Sequence, residues 1–341
     1  MGRCASQDLP YCPPWSLVNR DIHFEPSRLT TARMRAGRLI RWARDPGTIL
    51  ARAREHPPGS WGPDLDLPDP GEPVRTIIIA SMPRTGSSLL SDRLESTGVA
   101  GVPDEYFSER ALNWMGRATG LPTVTRATLL RTYGRRVRLH RFWDSAVGFV
   151  DGSVGRYLDS VVTRRTTPNG VFSVKLHWPR LRDLMTVYGV AIEDFPQPVD
   201  WVWVRRRDAL AQAVSNVRAL QTNTWKSQHR RRDRIEPERY DVVEIEHSVS
   251  RLLDGDRNWA AFFAARSIDP IVVDYEELRE DADVTTVRVL DELGIGLPAN
   301  HEWRPSPLRR QADAVTDEWI QRFWRDRPLL CAELDRAMRS R

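Results

Sequence analysis

Lysine is nearly missing from this chain: of its 51 Lys and Arg residues only Lys175 and Lys226 are lysines, so the net charge of +5 rests on arginine. Such a bias reads first as genome composition and second as an aid to gripping phosphates. Cysteine is scarce and odd in number. Cys4, Cys12 and Cys331 have no metal-ligand spacing, which excludes a disulfide framework and makes a reducing, cytoplasmic setting the expectation. No run of about 18 apolar residues occurs, and no apolar stretch follows the start, so neither a membrane span nor a secretory leader is expected. The start Met1-Gly-Arg-Cys-Ala-Ser6 fits a loose myristoylation pattern too short to separate from chance. Internal repeats and low-complexity tracts are absent. The basic cluster Gln228 to Arg234 lacks interleaved aromatics, which favours a solvated loop over a nucleic-acid site.

What is present divides the chain at residue 73. Residues 1–73 carry 11 of the 24 prolines and read as a Pro-rich, basic extension, with Pro57 to Pro73 an extended linker. Within them, Leu29 to Ala53 could form a basic helix that lies on a membrane or an acidic partner, or packs on its own domain. From Val74 onward, strand and helix patterns alternate. Val74 to Ala80, Val171 to Leu176, Val199 to Val204 and Ile271 to Asp274 read as buried strands. A helix is expected after the N-cap Asp208, and a longer one bears Val242, Ile245, Val249, Leu252, Trp259, Phe262 and Phe263. Glu109 to Arg165 reads as a largely helical insert. Alternation of this kind implies a parallel sheet covered on both faces, with the active site at the carboxyl ends of its strands.

The first strand runs into Ser81-Met-Pro-Arg-Thr-Gly-Ser-Ser88, and Ser87 or Ser88 opens a helix with Leu90 and Leu94 on one face. Strand, tight loop and helix N-terminus form a phosphate cradle, because free backbone N–H groups and the helix dipole converge on an anion. In an ATP-hydrolysing loop a lysine follows the second glycine. Here the triplet is Gly86-Ser87-Ser88 and the cation is Arg84, which points away from ATP hydrolysis and towards a nucleotide with a different reactive group.

Pro83-Arg-Thr-Gly-Ser-Ser88 resembles the 5′-phosphosulfate loop of carbohydrate sulfotransferases, which use 3′-phosphoadenosine 5′-phosphosulfate (PAPS). With Ser96-Thr-Gly-Val-Ala-Gly101 and Pro103-Asp-Glu-Tyr-Phe107, the run is similar to the mycobacterial trehalose 2-sulfotransferase family. The resemblance extends from about residue 74 to about 327. It implies a single three-layer α/β/α domain over 74–341, with a central parallel sheet and a shape like nucleotide kinases. It also implies a PAPS-dependent O-sulfotransferase that uses no metal and acts on a hydroxyl of a sugar or glycosylated small molecule.

That resemblance assigns roles residue by residue. Arg84, Thr85, Gly86, Ser87, Ser88 and Leu89 would hold the 5′-phosphosulfate. Arg207 and Ser215, which resemble the family's pair, would hold the 3′-phosphate, with Arg205 and Arg206 as alternatives in register. Arg310 and Gln311 lie in Arg309-Arg-Gln-Ala-Asp313, which resembles the family segment that closes over the nucleotide, and Arg310 would be a second cation on the 3′-phosphate. Glu105 matches the proposed catalytic carboxylate, and Tyr106 and Phe107 beside it are expected to raise its pKa towards neutrality. Val174-Lys-Leu-His-Trp178 is similar to a segment of cytosolic aryl and steroid sulfotransferases and offers a second base, His177, with Lys175 on the sulfate. Both end a strand two positions apart and so face the same way. Tyr106, Trp178 and Trp225 are candidate platforms for a sugar ring. The expected partner is a small-molecule acceptor, with no nucleic acid and no membrane span, and a homodimer stays open. The competing readings are an ATP-dependent small-molecule kinase and a non-catalytic nucleotide-binding relative. The insert at 109–165 is expected on the acceptor side.

Overall fold

The computed structural model describes residues 66–108, 123–124, 148–149, 153–186, 190–222, 224–225, 238–308 and 313–339. In chain order the elements are β1 (Arg75–Ser81), α1 (Ser87–Ser96), β2 (Thr123–Val124), β3 (Gly148–Phe149), α2 (Ser153–Arg165), β4 (Val171–His177) and α3 (Trp178–Thr186). They continue with β5 (Val199–Arg205), α4 (Ala209–Thr222), α5 (Val242–Ala265), β6 (Ile271–Asp274), α6 (Tyr275–Glu280), α7 (Ala282–Glu292), α8 (Ala314–Asp326) and α9 (Pro328–Arg339). A short 3-10 turn spans Ile192–Asp194 before β5.

The four expected strands form one parallel sheet in the order β4-β1-β5-β6, and β2 and β3 make a separate antiparallel pair. Alternation along each strand divides the core in two. Ile77 and Ile79 of β1, with Val202, Val204 and Val273, meet Leu90 and Leu94 of α1 and Val289 and Leu290 of α7. Ile78 and Ala80, with Phe172, Val174 and Leu176 of β4, meet Trp259, Phe262 and Phe263 of α5 on the other face. Ile77 to Ala80 of β1 are buried and apolar on both faces, as a strand sandwiched between helices requires, whereas β4 turns Ser173, Lys175 and His177 to the α1 side. The three-layer expectation is met.

Strand order also fixes where a ligand can enter. From β1 the chain passes to β4 on one side, then returns across β1 to β5 on the other. The crevice at the carboxyl ends of β1 and β5 is therefore a topological switch point, with the end of β4 bordering it on the other side of β1. Because β4 is an edge strand, its outer side is covered by the segment after α1. Lys175 N donates to Asp104 O at 3.0 Å there. Gly101 permits the approach: its φ is 73°, and an added Cβ would stand 2.4 Å from Ser173 Oγ.

Part of the expected linker is attached to the domain. Leu67 N donates to Arg164 O at 3.0 Å and Gly71 N to Thr166 O at 3.1 Å, while Asp66 pairs with the buried Arg165. The basic stretch Leu29 to Ala53 lies outside the described residues, as do 109–122, 125–147 and 150–152 of the insert. The insert's described parts are α2 and the β2–β3 pair, so it is not wholly helical.

Candidate active site

The loop after β1 is built from backbone strain and small side chains. Arg84 has φ 68°, a left-handed conformation uncommon for a residue with a Cβ, and Gly86 has φ 83°. A Cβ at Gly86 would also stand 2.8 Å from Tyr275 Cδ2, so glycine is required there twice over. Gly86 O accepts from Leu89 N at 2.8 Å and Leu90 N at 3.2 Å, closing the first turn of α1. That leaves the N–H groups of Ser87 and Ser88, which precede the first intrahelical acceptor, for a ligand. Thr85 is fully buried and its hydroxyl donates to Met82 O at 3.0 Å, leaving only its backbone for a ligand. Ser87 is buried and Leu89 packs partly into the core. Gln212, which nothing in the sequence singled out, donates to Pro83 O at 2.7 Å and fixes the loop from α4.

Arginines gather around this loop. Arg84 Nε donates to Ser215 Oγ at 2.9 Å and its Nη1 to Trp225 O at 2.7 Å. Burial first, then the neighbouring Arg206 and Arg218, push the Arg84 guanidinium down to about 10. Arg206 Nη1 donates to Arg84 O at 3.4 Å, its guanidinium lies 4.4 Å above the Tyr275 ring, and its buried Nε has no hydrogen-bond partner among the described residues. Burial also lowers the Arg206 pKa. A buried donor left unpaired among like charges is expensive, and a phosphate or sulfate would relieve both terms.

Arg207 departs from expectation. The structure pairs Ser215 with Arg84, while Arg207 is turned to Glu276 at 3.4 Å and Asp274 at 3.8 Å. Its side chain is 55% exposed, and ion pairs so exposed are typically worth about 0–1 kcal/mol, weak enough to be exchanged for a ligand. Arg205 pairs with Asp274 at 3.1 Å. Arg206 is therefore the arginine of this run that the fold turns to the phosphate loop. Arg310 and Gln311 lie outside the described residues.

Across the crevice, Lys175 and His177 project from β4 on the α1 side and converge on Glu105. Lys175 Nζ lies 3.0 Å from Glu105 Oε1 and donates to Ser88 Oγ at 2.9 Å. His177 Nε2 lies 3.4 Å from the same carboxylate oxygen, and its Nδ1 is 3.0 Å from Ser81 Oγ. The segment is held from behind by Asp104 Oδ1, which accepts from Glu105 N at 2.7 Å. Burial alone would raise the Glu105 pKa, but Lys175 and His177 outweigh it and hold the carboxyl well below its ordinary value. The expectation of a raised pKa is thus corrected. Tyr106 and Phe107 do not surround the carboxylate, and two cationic or donor groups distant in sequence do.

Two sugar platforms are corrected as well. Tyr106 is buried, its hydroxyl donates to Val102 O, and the Arg165 guanidinium covers its ring at 4.8 Å. Trp178 packs against Trp259 and Phe262 at ring separations of 5.3 and 6.1 Å, inside the α5-side core. Trp225 is half-buried beside Arg84. Trp259, unremarked in sequence except as core, donates its Nε1 to Ser81 O at 3.0 Å and fixes the end of β1.

A family model described as Stf0 sulphotransferase matches residues 76–326. The trehalose 2-sulfotransferase of Mycolicibacterium smegmatis is 31% identical over 275 residues, covering 74% of this chain and 96% of its own length. That of Mycobacterium tuberculosis is 31% identical over 272 residues, covering 75% and 97%. A sulfotransferase domain from the curacin biosynthetic pathway shares 13% identity at a TM-score of 0.36, covering 73% of this chain and 83% of its own.

Proposed function

Since the chain belongs to the Stf0 sulphotransferase family, we propose that it transfers a sulfuryl group from PAPS to a hydroxyl of a sugar or glycosylated small molecule. The observation that carries this reading is one bridge: Lys175 joins Ser88, at the mouth of the anion cradle, to the carboxylate of Glu105. An anionic donor and a proton acceptor are thereby set side by side, which is what sulfuryl transfer to an alcohol needs. The two mycobacterial relatives act on trehalose by name, which supports a sugar as the acceptor class.

Each group then has a task. The first-turn N–H groups of α1, Arg84 and Ser88 hold the 5′-phosphosulfate, and Arg206 sits behind Arg84 as a second cation. Arg207 and Ser215 take the 3′-phosphate, Arg207 by leaving its weak pairs with Glu276 and Asp274. The unpaired Arg206 Nε and the depressed Arg84 guanidinium fit a polyanionic ligand. Glu105 removes the proton from the acceptor hydroxyl as its oxygen attacks sulfur. Lys175 and the α1 dipole stabilise charge on the moving sulfuryl group, in the way positioned cations serve phosphoryl transfer. His177 keeps Glu105 oriented from the Ser81 side. A cytoplasmic setting suits a chain with so few cysteines. No helix among the described residues is long and apolar enough to cross a membrane.

Titration calorimetry with nucleotides tests the donor assignment. Adenosine 3′,5′-bisphosphate should bind far more tightly than ADP or ATP. Equal affinity for ATP would instead favour the kinase reading.

A further inference from the structure

Lys175 holds a position that two partners want. It is buried, with 2% exposure, and it is one of two lysines among 51 Lys and Arg residues. Its ammonium is bonded to Ser88 in the first turn of α1 and to Glu105 on the other side of the crevice. The first turn is where an anion must sit to use the helix N–H groups. A sulfuryl group seated there competes with Glu105 for the same ammonium. The residue type suits an exchange: lysine is a point charge on a flexible stem, whereas an arginine fork binds a carboxylate through two parallel bonds and gives it up less readily.

The groups facing Glu105 leave the carboxylate placed when Lys175 moves. From β4 these are Lys175 and His177, and from its own segment Asp104, whose carboxylate accepts from Glu105 N. His177 stays on Oε1, with its ring fixed by Ser81 on β1. Only the charge balance changes.

We propose that Lys175 is a cation shared between donor and base, so that the sulfuryl group of a loop-bound donor draws Lys175 away from Glu105 and thereby makes Glu105 basic enough to accept the acceptor's proton. The inference rests on the sulfotransferase reading above. In the step it serves, the acceptor O–H proton passes to Glu105 and the oxygen forms a bond to sulfur. The bond from sulfur to the 5′-phosphate oxygen breaks with its electron pair left on phosphate. Lys175 takes no part in the proton transfer. The depressed pKa of Glu105 without donor is the resting state expected of such a device. An acceptor that arrives first meets a poor base, and loading the donor switches it on.

The test is an infrared pH titration of the Glu105 carboxylate in the full chain, assigned by difference from Glu105→Gln. It is run without nucleotide, with adenosine 3′,5′-bisphosphate, and with PAPS in the absence of acceptor. PAPS should raise the Glu105 midpoint by about one pH unit or more, a tenfold gain in proton affinity, and the bisphosphate, which lacks the sulfuryl group, by clearly less. In Lys175→Met the midpoint should start high, and the two nucleotides should no longer differ. Lys175→Arg, which keeps the charge, should still bind PAPS but turn over at least about tenfold more slowly, because the fork is not released. PAPS bound in calorimetry with the Glu105 midpoint unmoved overturns the inference and leaves the sulfotransferase reading standing. So does near-full turnover in Lys175→Arg. PAPS that does not bind at all overturns both.

Discussion

The two sides of the crevice carry charge in opposite ways. On the loop side, Arg84 is held by neutral oxygens of Ser215 and Trp225 while Arg206 and Arg218 repel it, and Arg206 keeps a buried Nε unpaired. On the β4 side, Lys175, His177 and Glu105 satisfy one another within 3.4 Å. Among the described residues the loop side meets Arg84 with neutral oxygens, to which an anionic ligand would add negative charge. The other is balanced at rest and must be disturbed before it can react. A donor that binds the first side therefore also acts on the second, since Ser88 and Lys175 join them.

The largest effect should come from the balanced side. Glu105→Gln removes the proton acceptor and should cut turnover by about 10²-fold or more, with the affinity for adenosine 3′,5′-bisphosphate nearly unchanged. Steady-state kinetics beside calorimetry checks this, and a parallel fall in nucleotide affinity would merge the two sides. His177→Ala should lower turnover less, through misplacement of Glu105. Near-full activity of Glu105→Gln beside a dead His177→Ala would move the base to His177.

A third arginine sharpens the contrast, because Arg218 is fully matched. Its guanidinium donates to Asp313 at 2.6 and 2.9 Å and to Glu238 at 2.8 Å. Arg218→Ala removes the largely buried cation that pairs with both Glu238 and Asp313 and should cost about 3 kcal/mol of stability, read by denaturant unfolding. The same contact holds the Asp313 carboxyl down to about 2, mainly through its hydrogen bonds to Arg218. A folded-state pKa below the unfolded value stabilises the fold above the ordinary aspartate range and is lost as pH falls towards about 2. Wild type should therefore lose stability over that acid window, and Arg218→Ala should show a smaller loss there.

Smaller still, and confined to binding, are the effects on the loop side. Arg84→Ala removes a charged contact worth about 1.5–3 kcal/mol, so nucleotide affinity should fall by about 10- to 100-fold with little loss of stability. Arg207→Ala should act mainly on the 3′-phosphate, reducing the preference for adenosine 3′,5′-bisphosphate over AMP by about tenfold. An unchanged preference would assign the 3′-phosphate to Arg206 instead.

The sheet was legible because each strand is rich in apolar and β-branched residues, and the phosphate loop because its turn residues and its helix start are contiguous. Asp208 was readable as a cap for the same local reason: its Oδ1 accepts from Ala211 N at 2.8 Å. The fate of neighbouring side chains was not. Glu105 faces the crevice while Tyr106 is turned into the core, a difference set by the pairing of Asp104 with β4 and invisible in Pro103-Asp-Glu-Tyr-Phe107. The pKa of Glu105 was misread because its controlling groups, Lys175 and His177, come from another strand. Arg206 and Arg207 could not be told apart for a related reason. Which one meets the loop depends on where β5 stops, at Arg205, and where α4 begins, at Ala209.

The central claim, that this cleft moves a sulfuryl group to a sugar hydroxyl, is tested most directly by incubating the purified protein with PAPS and a panel of free and glycosidically linked sugars that includes trehalose. The account predicts an acceptor that gains one sulfo group by mass spectrometry, matched one for one by adenosine 3′,5′-bisphosphate and formed at least about 10²-fold more slowly in Glu105→Gln. Phosphoryl transfer from ATP to the same sugars, with PAPS inert, would contradict it.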